Sequence, residues 1–379
     1  MHDAFWLSED ERQTRDLARA ISRERVAPLA AQVDEAELYP AESLHHLAQA
    51  GLMGLYVPES YGGAGLGALA FCCAVEEIAW ACASTAVIYL VQYAAGYPIV
   101  SHGTDAQKRR YLPRLAAGEI TAALSISEPG AGSDAASMTT TAVRKGDRYL
   151  LNGSKMWVTN GSHAGVITLF ATVDRARGHK GVTAFLVEPT FPGFALGKLE
   201  RKMGIRGSPT VAIHLTDCEV PVDNRLGEEG EGFRVALGAL DRSRPAVGGQ
   251  AVGIAQAALD AAVGYARERR QFDRPIAEFQ GIQFMLADMP CRCTPRGCWS
   301  TTPPPSWTAA PPVRRSSRPW PSASPPTRRC AWPSTRSRSS GAMATRASIR
   351  SSASCATPRS RRSTRAPTRS SASSWPASS

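Results

Sequence analysis

Ser125-Ile126-Ser127-Glu128-Pro129-Gly130-Ala131-Gly132-Ser133-Asp134 stands where the character of the chain changes. Before it, residues 1–118 read as helices joined by short turns. Ser8-Glu9-Asp10-Glu11 fits a capping box, and Leu17, Ile21, Val26 and Leu29 follow a roughly helical period. After it come short runs rich in β-branched and aromatic residues: Ile167-Thr168-Leu169-Phe170, Val182-Thr183-Ala184-Phe185-Leu186-Val187 and Val211-Ala212-Ile213-His214-Leu215. Gly146-Asp147, Asn152-Gly153 and Asn160-Gly161 are the expected turns. From about residue 230 helical spacing returns, with Val252, Ala255, Leu259, Ala262 and Ala266 three and four apart. Helices, then strands, then helices, with no alternating βαβ units, predict an α+β fold and argue against a doubly wound dinucleotide fold.

Within the opening stretch, hydroxyls bracket a backbone that Gly130 and Gly132 leave open, so peptide N–H groups and serines can hold a polar cofactor edge or a pyrophosphate. Alone it reads as a plain turn before a strand. Lys155-Met156-Trp157-Val158-Thr159-Asn160-Gly161, about a strand pair later, adds a ring-sized apolar face and a further hydroxyl. Two other glycine-rich stretches lack this chemistry. Gly63-Ala64-Gly65-Leu66-Gly67-Ala68 matches a dinucleotide pattern, yet no strand precedes it, and an inter-helix loop is expected. Gly227-Glu228-Glu229-Gly230-Glu231-Gly232 is acidic, would repel phosphate and reads as a linker.

The 379 residues carry a formal charge of +11, which taken alone suggests an anionic partner. Its distribution removes that reading. Residues 291–379 hold 16 Arg and no Lys, Asp or Glu, which leaves 28 basic against 33 acidic residues and a formal −5 on residues 1–290. The same segment lacks Leu, Phe, Tyr, Asn, Gln and His, and cannot build a core of ordinary composition. Cys72, Cys73, Cys82 and Cys218 show no disulfide spacing, so a reducing cytoplasm is expected. Asp3, Glu9, Asp10 and Glu11 sit where an export signal would be basic and apolar. The uncharged run from Ile78 to Thr104 is interrupted by Gln92, Gly96, Pro98 and His102, and is expected to be a buried helix rather than a membrane span. Neither a nucleic acid nor a membrane is an expected partner, and no metal ligand set is assigned. Adjacent His45-His46 are expected at the surface, and Cys72-Cys73 in packing.

The chain resembles the acyl-CoA dehydrogenase family of flavoenzymes. The resemblance rests on Ser127–Asp134, on Trp157-Val158-Thr159-Asn160-Gly161, on Lys202-Met203-Gly204-Ile205-Arg206-Gly207-Ser208, and on Arg269-Arg270-Gln271-Phe272 followed by Phe279-Gln280, and it covers residues 1 to about 289. It implies an N-terminal all-α domain (1–118), a middle β-barrel-like domain (119–228) and the start of a C-terminal α-helical bundle (229–289). It also implies FAD as cofactor, an acyl-CoA substrate, an electron-transfer flavoprotein as acceptor, and a homotetramer or dimer in which FAD spans a subunit interface. Ser127 and Thr159 would hydrogen-bond the flavin ring, Leu124, Ser125 and Ile126 would offer backbone contacts, and Trp157 with Val158 would flank the ring. Ser133 would contact the acyl-CoA, and Asp241 and Arg244 its CoA moiety. Arg269 and Gln271, with Phe279 and Gln280 nearby, would bind the FAD pyrophosphate region of a neighbouring subunit.

Unsaturation of a thioester needs a carboxylate base near Cα and an electron sink near Cβ, in a pocket dry enough to raise the base's pKa. In the family the base is usually a Glu in a Tyr-Glu-Gly-Thr stretch near the C-terminus, which this chain lacks. The alternative family position matches Ser243, which cannot serve, and Asp241 is not assigned as base, so no catalytic residue is assigned. A one-base shift after about residue 289 accounts for the loss. Read so, Gly341–Arg346 accommodates Gly-Tyr-Gly-Tyr-Thr-Arg, and Thr364–Arg369 accommodates Tyr-Glu-Gly-Thr-Asn-Gln, with the Glu codon straddling Thr364 and Arg365. Residues 290–379 are therefore read as an out-of-frame, disordered tail, and Cys291, Cys293 and Cys298 as neither a zinc site nor part of an RNA-binding segment. The chain is expected to fold poorly and to be inactive. The rival readings are a flavoenzyme acting on an acyl-carrier-protein or nitroalkane carbon acid, and a non-enzymatic basic-tail binding protein. Resequencing the gene across the Met289 codon should reveal the shift; a clean read encoding Pro290-Cys291-Arg292 would rule out a sequencing error.

Overall fold

A computed structural model describes residues 7–301. Helices α1 (Glu9–Ile21), α2 (Ala30–Glu35), α3 (Ala41–Gln49), α4 (Ala68–Ala81), α5 (Ala83–His102) and α6 (Asp105–Ala116) come first. The capping box at the start of α1 is present, with Ser8 and Glu11 each accepting from the other's backbone N–H. The buried face of α1 is Thr14 and Ala18, one step from the expected stripe, and Leu17 is exposed. The uncharged run is not one helix. Cys82 adopts an extended conformation that ends α4 and starts α5, because the two helices must turn to pack on one another. Among the described residues α5 and α7 (Gly232–Glu268) are long and apolar enough to cross a membrane; the apolar window of α5 is 72% buried inside the protein, that of α7 22%. Gln92, which interrupts the run, is paired: its amide donates to the Leu115 carbonyl (3.1 Å) and accepts from the Ala122 N–H (2.9 Å), tying α5 to α6 and to the sheet.

The strands are β1 (Thr121–Ser125), β2 (Thr141–Lys145), β3 (Arg148–Thr159), β4 (Ala164–Thr172), β5 (Val182–Val187), β6 (Phe194–Leu199), β7 (Thr210–Pro221) and β8 (Arg225–Leu226). They form one sheet in the order β6-β7-β3-β2-β4-β5-β8, with β1 parallel to β4. β4 and β5 are buried on both faces, so they read as continuous apolar runs instead of alternating. Val166, Phe170, Ala184 and Leu186 join the helical core, while Ile167, Leu169, Phe185 and Val187 face an inner core closed by Tyr149, Leu151, Ile213 and Val220. Gly146-Asp147 and Asn160-Gly161 are turns as expected. Asn152-Gly153 is not: it lies inside β3 at a bulge, where a Cβ on Gly153 would come within 2.5 Å of the Thr140 hydroxyl oxygen.

α7 is followed by the hairpin β9 (Arg270–Gln271) and β10 (Arg274–Pro275), then α8 (Gln280–Thr301). α8 thus runs across residue 289, where the tail is expected to begin. The rest of the expected tail lies outside the described residues. α7 packs on α4 so closely that a Cβ on Gly253 would meet the Glu76 carbonyl at 2.0 Å, whereas Gly238 faces open space.

A buried ion pair anchors the segment after β1. Lys155 Nζ lies 2.8 Å from Glu128 Oε1, with both side chains at most 1% exposed. Glu128 also accepts from the Thr139 N–H (2.6 Å), the Thr139 hydroxyl (2.7 Å) and the Thr140 N–H (3.0 Å). Burial alone would push the Glu128 carboxyl up; Lys155 and these donors outweigh it and hold it at about 2, against an ordinary 4.5. Burial pulls the Lys155 ammonium down, and Glu128 opposes this.

Because the folded-state value of Glu128 lies below the ordinary one, its contribution is complete above pH 4.5 and is lost as pH falls toward about 2. Glu128→Gln should flatten that part of the acid-unfolding profile and cost ~3–5 kcal/mol by stranding Lys155; an unchanged profile would contradict the pairing. In α7, thermal unfolding should show Gly238→Ala stabilising by up to ~1 kcal/mol. Gly253→Ala should instead destabilise by ~1–3 kcal/mol, and a raised Tm there would refute the close helix contact.

Candidate functional site

β1 delivers Leu124 and Ser125 to the sheet's end, and the chain then turns on itself. The Glu128 N–H donates to the Ala131 carbonyl (2.9 Å) and the Ala131 N–H returns to the Glu128 carbonyl (3.2 Å). Gly130 and Gly132 at the tip have nothing within 4 Å of where a Cβ would sit, so the backbone there is open to a ligand. The Ser127 carbonyl accepts from the Met156 N–H (2.9 Å), which ties this loop to β3.

At that point β3 is bulged. Its register against β7 shifts between Lys155 and Val158, and Trp157 takes a φ of +55°. The bulge sends Lys155 inward and Trp157 outward, with its indole 60% exposed beside the loop. Val158 returns to the inner core, and Thr159, half-buried, pairs with Thr210. Asn160 closes β3 with a φ of +68°, its amide donating to the Ala122 carbonyl (3.0 Å). Ser125 Oγ is buried without a partner. The hydroxyls of Ser127 and Thr159 likewise have no hydrogen-bond partner among the described residues. A buried, unpaired Ser125 hydroxyl and an open backbone, with an exposed indole on β3, suit a polar, planar ligand.

Sequence reasoning quoted Glu128 and Lys155 inside their motifs and gave them no function. Strand parity was the available signal: Tyr149, Leu151 and Lys155 fall on the inward side of β3, and an inward lysine needs an acidic partner. Cys72 and Cys73 are packing residues, as expected, with burial pushing both thiols up to about 12.

The remaining candidates lie elsewhere. Ser133 is exposed on the outer limb of the loop. Asp241 and Arg244 are exposed on α7 and pair with each other (3.0 Å). Ser243 between them is buried and donates to the Leu240 carbonyl (3.3 Å). Arg269, Gln271, Phe279 and Gln280 group around the β9–β10 hairpin, where Arg274 sits over the Phe279 ring at 4.3 Å and Phe272 meets it edge-on. This hairpin packs on α7, apart from the Ser127–Thr159 cluster. The Lys202–Ser208 segment docks on the N-terminal helices through Arg206 and Asp34 (2.9 Å). No group of three His, Cys, Asp or Glu able to hold a metal occurs among the described residues.

The chain matches the family models for the acyl-CoA dehydrogenase N-terminal domain over residues 8–119, the middle domain over 123–218 and the C-terminal domain over 230–297. It is 44% identical over 287 residues to a probable acyl-CoA dehydrogenase of Mycobacterium tuberculosis, spanning 76% of this chain and 74% of the relative. A solved structure described as an electron transferring flavoprotein of Acidaminococcus fermentans superposes with a TM-score of 0.75 at 42% identity, over 77% of each chain. An acyl-CoA dehydrogenase of Bacillus anthracis complexed with FAD superposes at 0.74 and 33% identity, over 79% of this chain and 51% of that one. The C-terminal match ends at residue 297, close to where the composition changes. From helical N-terminal part through sheet to the α7–α8 helices, the chain belongs to the acyl-CoA dehydrogenase family of oxidoreductases.

Proposed function

We propose that the site between the Ser125–Asp134 loop and the β3 bulge holds FAD, and that the function built on it is α,β-dehydrogenation of an acyl-CoA thioester to the 2-enoyl product. The observation that carries this reading is the buried, unpaired Ser125 hydroxyl at the foot of a loop whose Gly130 and Gly132 leave the backbone open. The donor chemistry fits an isoalloxazine: hydroxyls and N–H groups for its polar edge, an indole for its face, and glycines that leave room for it. FAD supplies the electron-accepting ring. Ser127 and Thr159 orient it, Trp157 flanks it, and Leu124, Ser125, Ile126 and Val158, whose side chain is turned into the inner core, offer backbone contacts.

Ser133 and the Asp241–Arg244 pair are assigned to the acyl-CoA. Arg269, Gln271, Phe279 and Gln280 are assigned to the FAD of a second subunit in a homo-oligomer, which suits their position on a separate hairpin. Reduced flavin needs an acceptor, and an electron-transfer flavoprotein in the cytoplasm fits the resemblance of the fold to a structure of that description. The α-proton needs a base, and neither position that the family pattern offers on α7 supplies one: Asp241 is exposed and engaged by Arg244, and Ser243 has no acidic group. The base is assigned to the Glu encoded across Thr364 and Arg365 in the shifted frame, so the chain as written has no turnover.

Expression of the chain as written should give no dye reduction by short, medium or long acyl-CoAs, while the frame-restored gene gives a protein with yellow flavin absorbance and dye reduction. Turnover by the chain as written would overturn the missing base, and a colourless frame-restored protein would overturn the FAD site.

A further inference from the structure

Lys155 is a charged side chain in the floor of the loop, and its ammonium makes three contacts there. It pairs with Glu128 at 2.8 Å, donates to the Ile126 carbonyl at 3.2 Å and lies 4.0 Å from Met138 Sδ. The Ile126 carbonyl belongs to the same peptide unit as the Ser127 N–H, for which no acceptor exists among the described residues. A cation bonded to a peptide oxygen draws electron density from the nitrogen and strengthens the N–H on the other side as a donor. One residue on, the Ser127 carbonyl accepts from the Met156 N–H, which restrains the following peptide and so the chain on that side.

We infer that Lys155 is a positioning residue for the cofactor: held by Glu128, it orients and polarises the Ile126–Ser127 peptide so that the Ser127 N–H faces the ligand as a strengthened donor. This rests on the flavin reading of the site. A donor strengthened in this way favours the electron-rich reduced ring over the oxidised one, so the buried pair sets the cofactor's potential as well as the loop's shape.

The test compares Lys155→Met with the double variant Lys155→Met/Glu128→Gln in the full chain. The single variant leaves Glu128 buried without its cation and should speed hydrogen exchange across residues 126–131. The double variant removes both charges and should recover most of the thermal stability and exchange protection. Its bound flavin should nevertheless be held about tenfold less favourably in the reduced form, a fall in midpoint potential of ~30 mV for a two-electron couple. A double variant with the potential of the unmodified chain would show a purely structural pair and overturn the inference, as would unchanged exchange in Lys155→Met. If the unmodified chain retains no FAD, the flavin reading fails for it separately. Loop exchange then decides: faster exchange in Lys155→Met supports the positioning, and unchanged exchange defeats it.

Discussion

A single fully buried ammonium constrains how the site region is put together. Lys155 is on β3, Glu128 lies in the loop after β1, and Thr139 and Thr140 precede β2; the ion pair and its donors pin all three segments to one point. An apolar cluster at this place would tolerate a slip of one residue along β3. A buried charge does not, because the slip would place the ammonium on the opposite face and leave a carboxylate with no counter-charge. The bulge that exposes Trp157 and the turn that opens Gly130 and Gly132 are thus fixed by the same contact.

Much of the fold was legible because its signals are local. β5 occupies the expected Val182–Val187, and the α1 capping box and the Gly146-Asp147 turn rest on patterns a few residues long. Asn152-Gly153 misled because the dipeptide that suits a hairpin also suits a bulge, and what distinguishes them is Thr140 packed against Gly153. Leu17 misled by one position: the smaller Ala18 lets α1 approach α4, and the larger side chain turns outward. The hydroxyls of the candidate site could be read from their motifs, whereas the Glu128–Lys155 pair joins residues 27 positions apart, and no short pattern announces it.

The bare flank of α7 and the composition of the tail meet on a common point. α7 buries Val235, Ala239, Ala246 and Gly253 against α4 and α5, while Leu237 and Val247 on its other side remain exposed. α8 also packs on α7, and apolar side chains left exposed on a helix already packed by α4, α5 and α8 mark it as the inner member of a larger bundle. Residues 291–379, with sixteen arginines and no leucine or phenylalanine, do not have the composition of an apolar stripe.

β4 and β5 give the molecule a further property. Each lends alternate side chains to the helical core and to the inner core of the sheet, so neither core exists without the same two strands. Domains joined by a linker can melt one at a time; two cores that share a wall cannot. Heat or denaturant should therefore dismantle the helical part and the sheet in one cooperative step, and every residue of that shared wall is encoded upstream of the point where the composition of the chain breaks.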